Sequence, residues 1–101
     1  MTEKENYTQP IKEGYTIYTK SGCPNCTKVK ALLTGEPQLI VDCDDYIIED
    51  KISFLEFIKE KSEKEWKTFP MVFHNENFIG GFAEIAKYKE QLDAFSTTTD
   101  F

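Results

Sequence analysis

Cys23 and Cys26 stand two residues apart, with Pro24 and Asn25 between them. Two thiols at this spacing can form half of a zinc site, act as a redox pair, or simply lie close together in a core. A structural zinc ion needs four ligands, and beyond this pair the chain offers only Cys43 and its single histidine, His74, which fall on different predicted strands. The redox use explains more, because the pair sits where a strand hands over to a helix. Cys23 is placed to be the N-cap, with Pro24 at the first helical position, where a missing N–H is no loss. The free N–H groups of Asn25 and Cys26 then point back toward the Cys23 sulfur and favour an anion there. A free thiol of pKa about 8.5 is only ~3% thiolate at pH 7. Lowering it to about 5 takes roughly 4 to 5 kcal/mol, of which one helix terminus supplies at most ~2. Hydrogen bonds and a nearby cation must supply the rest, and Lys20, three residues before Cys23, is the best placed. Cys26 falls on the apolar stripe of the helix and should be shielded. Cys23 is therefore expected to attack and Cys26 to resolve. Cys43, flanked by Asp42, Asp44 and Asp45 at a strand end, should be a poor nucleophile, since acidic neighbours raise a thiol's pKa.

The elements that must hold this pair follow from hydrophobic period. Tyr15 to Thr19 is β-branched and aromatic and reads as a strand. Cys26, Val29, Leu32 and Leu33 recur at helical spacing from Pro24, and Gly35 and Pro37 end the run. Leu39-Ile40-Val41 reads as a short buried strand. Ile52, Phe54, Leu55 and Ile58 give a second amphipathic helix, which ends in the charged stretch 61–67. Met71-Val72-Phe73 and Phe78-Ile79 flank a turn at Asn75-Glu76-Asn77 as a hairpin. A last helix from Phe82 carries Ile85, Ala86, Leu92 and Phe95 near one face, before a tail that frays from Ser96. The order β-α-β-α-β-β-α predicts an α/β domain whose first two strands are parallel.

Composition bounds the rest. The 101 residues, 40% hydrophobic, suffice for one core, so a single domain is expected, with the core over about 15–95, an N-terminal extension over 1–14 that the core can spare, and a flexible tail over 96–101. The formal charge of −6 argues against a nucleic-acid-coating surface. Charges interrupt every apolar run before the ~20 residues a bilayer requires. The polar, acidic start from Met1 to Gln9 does not read as a secretory signal, which makes the cytoplasm the expected location. All twelve basic residues are Lys, so anions must be held by ammonium groups or backbone N–H donors.

Ile17-Tyr18-Thr19-Lys20-Ser21-Gly22-Cys23-Pro24-Asn25-Cys26, followed by Val29, Ala31, Leu32 and Leu33, resembles the active-site strand, loop and helix of dithiol glutaredoxins. Thr68-Phe69-Pro70 is similar to the family's Thr-Val-Pro, and Ile79-Gly80-Gly81 with Glu84 to its Gly-Gly-x-Asp-Asp. The resemblance covers about residues 15 to 95. It implies a thioredoxin-like fold, a four-stranded mixed sheet flanked by helices. It also implies an oxidoreductase with glutathione as co-substrate, no metal, and a potential of about −200 to −230 mV. Protein disulfides and glutathionylated proteins would be its substrates, ribonucleotide reductase being a common family client, and the chain would act as a monomer.

By the same resemblance Pro70 is cis and turns the Phe69 backbone toward the cysteine of glutathione. Thr68, Phe69, Pro70, Gly81 and Phe82 line the site. Gly80 and Gly81 open a helix whose N–H groups can take the γ-glutamyl carboxylate, and Lys20 and Lys67 bind the glycyl carboxylate. Glu84 either accepts the amino group or caps its own helix. Departures are Asn25 for the usual Tyr, Phe69 for Val, Ala83 for Asp or Ser, and Phe82 for a small residue; they bear on glutathione affinity, not on thiol chemistry. Because the chain is acidic, a local patch of Lys20, Lys28 and Lys67 is required to attract an anionic peptide. Trp66 reads as exposed beside the active-site loop. The competing expectations are a thioredoxin-like hydrogen donor served by a reductase and a glutathione- or iron–sulfur-binding module, although Pro24 disfavours a cluster-bridged dimer.

Overall fold

The computed structural model describes residues 7–98. Its elements are β1 (Tyr15–Thr19), α1 (Pro24–Leu32), β2 (Gln38–Asp42), α2 (Asp44–Ser62), β3 (Met71–His74), β4 (Asn77–Gly80) and α3 (Phe82–Thr98). The four strands form one sheet in the order β2-β1-β3-β4. β1 and β2 are parallel, with Thr19 opposite Asp42, while β3 runs antiparallel to both β1 and β4. This is the predicted four-stranded mixed sheet with helices on its faces.

β1 is central, and all five of its residues are buried. Its alternating side chains feed two cores, as the period of two requires. Tyr15 and Ile17 join Val29, Leu33, Val72 and Ile85 beneath α1 and α3. Tyr18 joins Val41, Cys43, Phe54, Phe57, Ile58, Met71 and Phe73 beneath α2. With both faces covered, β1 can only emerge at its ends, and its C-terminal end delivers the Lys20-Ser21-Gly22 loop.

Four expectations are corrected. β2 is an edge strand rather than a buried one, and Ile40 is 45% exposed, because its residues pair on one side only. The second helix starts at Asp44, about two turns before Ile52, the first residue of its apolar pattern. Asp44 and Asp45 suit its positive N-terminus, and Asp50 leaves the helical region (φ −161°, ψ 84°) so that its carboxylate recaps the chain by accepting from Ser53 N and Oγ. The resulting rotation buries Phe54, Phe57 and Ile58 and leaves Ile52 73% exposed.

Of the N-terminal extension, residues 1–6 lie outside the described residues, and the part from Tyr7 is not spare. Tyr7 is buried among Tyr46, Phe54 and Phe57, with ring centroids 4.8, 5.6 and 5.1 Å away, and Tyr18 Oη donates to Thr8 O at 2.6 Å. Finally, α3 runs past Ser96 to Thr98, and Leu92 is 38% exposed rather than part of the apolar face. The Phe95 side chain and the last tail residues, 99–101, lie outside the described residues.

Candidate active site

Gly22 takes a left-handed conformation (φ +66°), which lets the loop after β1 turn sharply into α1. Cys23 is the N-cap of α1 in an extended conformation, and Pro24 occupies its first turn. Cys26 N donates to Cys23 Sγ at 3.1 Å, and the Cys23 carbonyl accepts from the N–H groups of Cys26 and Thr27 at 3.1 and 3.3 Å. The two cysteines are joined as a disulfide with Cα atoms 5.2 Å apart. Cys23 is half-exposed, whereas Cys26 is 2% exposed. One sulfur of the pair thus meets solvent and the other meets the core.

A groove of about 290 Å³ opens beside Cys23, lined by Lys20, Gly22, Cys23, Pro24, Asn25, Lys67, Thr68 and Phe69. The structure therefore brings together Cys23 and five other residues expected in the site: Lys20, Asn25, Lys67, Thr68 and Phe69. The Phe69-Pro70 bond is cis and Pro70 is buried beside it. Phe69 is more than an enlarged Val. Its ring stacks on Phe54 at 6.0 Å, anchoring the groove wall in the core, and Lys20 Nζ lies 6.0 Å from its centroid.

The second glycine-rich corner lies apart from the groove lining. Gly80 has φ +136°, and a Cβ there would come within 2.7 Å of Glu84 Cβ, so glycine is required. At Gly81 a Cβ would lie 3.4 Å from the Pro70 carbonyl and 3.5 Å from Trp66. Glu84 Oε1 accepts from Gly81 N at 3.0 Å, so of its two expected roles the helix-capping one is occupied. Phe82 packs into the α1 and α3 core, and Lys28 Nζ sits 5.5 Å from its ring centroid. Lys28 therefore does not line the groove that Lys20 and Lys67 share.

Trp66 is half-buried rather than exposed: it packs at 5.2 Å on Phe78, and its indole N–H is buried without a partner among the described residues. Trp66 and Lys67 also line a second groove, with Ile52, Leu55, Glu56, Lys59 and Glu65.

Cys43 is fully buried as the N-cap of α2, and burial, followed by the Asp42 charge, pushes its thiol up to about 12. The expected direction holds, but desolvation outweighs the acidic neighbours. Among the described residues no group of three or more His, Cys, Asp and Glu is placed to hold a metal ion.

One contact at the site, between Asp44 and Ser21, escaped sequence reasoning. Asp44 Oδ1 accepts from Ser21 N at 2.9 Å, and Asp44 Oδ2 accepts from Ser21 Oγ. Their proximity follows from the parallel register that ends β1 and β2 side by side; in the sequence Asp44 shows only as one acid in a run.

A family model for glutaredoxin matches residues 15–79. Glutaredoxin 1 of Escherichia coli (strain K12) is 31% identical over 84 residues, covering 77% of this chain and 95% of that protein. Among solved structures, Francisella tularensis glutaredoxin 1 complexed with cacodylate is similar at TM-score 0.67 and 26% identity, over 77% of this chain and 93% of that one. A buckwheat glutaredoxin–glutathione complex shares the fold at TM-score 0.65 and 19% identity, over 85% and 76%. The chain belongs to the glutaredoxin family. It is a thiol–disulfide oxidoreductase with a thioredoxin-like fold, and Cys23 and Cys26 are its redox pair. No helix among the described residues is long and apolar enough to cross a membrane.

Proposed function

We propose that the chain is a glutathione-dependent oxidoreductase that reduces protein disulfides and glutathionylated protein thiols, acting as a monomer in the cytoplasm. The observation that carries this reading is the asymmetry of the pair: Cys23 Sγ accepts a hydrogen bond at a helix N-terminus and opens onto a lysine-lined groove, while Cys26 is buried. In the reduced enzyme the same N–H would stabilise a Cys23 thiolate. The buckwheat relative bound to glutathione shares the fold and supports the choice of co-substrate.

Cys23 thiolate attacks a sulfur of the substrate disulfide, forming a mixed disulfide and expelling a thiolate. With a protein disulfide, Cys26, as thiolate, then displaces the second protein sulfur, leaving Cys23 and Cys26 oxidised. Two glutathione thiols reduce that bond and leave as glutathione disulfide. With a glutathionylated protein, Cys23 takes up the glutathione and frees the protein thiol, and a second glutathione resolves the intermediate.

Lys20 and Lys67 would take the glycyl carboxylate, with Asn25, Thr68 and Phe69 lining the groove and the buried cis Pro70 behind Phe69. Gly81, Phe82 and Glu84 complete the γ-glutamyl end only if glutathione extends beyond the groove toward the start of α3. Ribonucleotide reductase fits as one disulfide client.

The test is turnover of a small glutathione mixed disulfide. Cys23→Ser should abolish it, whereas Cys26→Ser should keep it within about tenfold of wild type, since glutathione alone resolves the intermediate. An inactive Cys26→Ser enzyme, or a wild-type chain that turns over only with a reductase, would refute the reading.

A further inference from the structure

Asp44 belongs to no part of the redox pair or the groove lining, yet it makes two of the hydrogen bonds that hold the active-site loop. The frame that brings it there is built from strand register and backbone hydrogen bonds. Thr19 and Asp42 are register partners at the ends of β1 and β2, and Cys43 N donates to Thr19 O at 2.8 Å. Asp42 Oδ1 then accepts from Asp44 N at 3.0 Å, fixing the first turn of α2. From that turn the Asp44 carboxylate reaches across and takes both the backbone N–H and the hydroxyl of Ser21, one oxygen for each. The next residue is Gly22, whose left-handed turn aims Cys23 at the N-terminus of α1. The Ser21 bonds and the neighbouring Lys20 hold the Asp44 carboxyl below the usual carboxylate range.

We propose that Asp44 is a positioning residue for the Cys23 nucleophile, clamping Ser21 so that the Gly22 turn presents the sulfur to the N–H groups of α1, while its charge partly neutralises Lys20.

The inference rests on the assignment of Cys23 as the attacking thiol. The two effects have opposite signs. Loss of the clamp lets Cys23 drift from its hydrogen bond and weakens the thiolate. Loss of the charge alone strengthens the thiolate and frees Lys20 for an anionic ligand. The charged groups around Cys23 are Lys20 on its own loop, Lys67 on the segment before β3, and Asp44 on α2 beside Lys20. Lys28 on α1 is turned onto Phe82.

The experiment is the pH dependence of Cys23 alkylation by iodoacetamide in the reduced full chain, read by mass spectrometry, with the KM for glutathione and the melting temperature measured in parallel. In Asp44→Ala, the midpoint of the alkylation–pH profile should move up by at least about half a pKa unit, which is an about threefold slowing at pH values below that midpoint. In Asp44→Asn, where the side-chain carbonyl still accepts from Ser21 N, alkylation should be no slower than wild type and KM for glutathione should fall. Ser21→Ala should slow alkylation less than Asp44→Ala, and the two should be non-additive when combined. Unchanged alkylation in Asp44→Ala with only a lower melting temperature would reduce Asp44 to a structural role and overturn the proposal. Equal slowing in Asp44→Ala and Asp44→Asn would overturn it too. If Asp44→Ala does not fold, an alkylation rate unaffected by Ser21→Ala overturns it. A wild-type chain that turns over no glutathione mixed disulfide, but whose variants respond as stated, would refute the proposed function and leave the clamp standing.

Discussion

Lys20 and Lys67 face the same groove as Cys23, and Lys28 does not. Lys67→Ala should therefore raise the KM for glutathione by about fivefold, roughly the 1 kcal/mol of a solvent-screened ion pair, with kcat little changed. Lys28→Ala should leave KM within experimental scatter. Steady-state kinetics at low ionic strength separate the two, and an equal rise in both would restore the three-lysine patch. The redox pair was legible because Cys-x-x-Cys, an adjacent proline and a strand-to-helix junction all lie within one short stretch of chain. The lysine patch was only partly legible. Lys28 lies two residues past the pair in sequence, but the rotation of α1 aims it at Phe82, a residue that is distant in the chain. Asp44 was invisible for the same reason: its partner, Ser21, is 23 residues away.

At the scale of elements, the segment before β1 acts as a strap. Tyr7 contributes a buried ring to the α2 core, and Thr8 accepts the Tyr18 hydroxyl. Tyr7→Ala should cost about 3 kcal/mol, as large aromatic truncations in cores do, and urea unfolding would show it as a lower midpoint at constant slope. A change below about 0.5 kcal/mol would mean that the strap only lies on the surface. All seven elements could be placed from periodicity, because each has its own apolar pattern. The errors came where tertiary packing decides. Tyr7 is one aromatic in a polar stretch, so no period announces it. The recapping by Asp50 turns α2, and with it the buried stripe, from Ile52 to Phe57. β2 reads as buried from three apolar residues in a row, but sheet order makes it an edge.

For the whole molecule, buried titratable groups bracket the pH range of stability. Burial pushes Cys43 up to about 12 from 9.0 and Tyr15 up to about 12 from 10.0, and it raises Tyr18 as well. Above about pH 9 the unfolded chain loses these protons before the native one does, so stability falls as pH rises. On the acid side, burial lowers His74 below 6.5; its ring stacks on Tyr15 at 4.1 Å and its Nδ1 meets Tyr88 Oη at 2.5 Å. The unfolded state then binds the extra proton, and stability falls as pH drops below 6.5. Melting temperature against pH should therefore peak between these limits, and Cys43→Ala should flatten the alkaline limb; a limb unchanged in that variant would assign it to the tyrosines alone. The burial of Cys43 also bears on what happens to the chain after oxidative stress. Adducts on Cys23 are the ordinary traffic of its chemistry, but a third sulfur sealed beneath the sheet can be marked only when the domain opens. A molecule carrying a modification at that position bears a lasting record of having come apart.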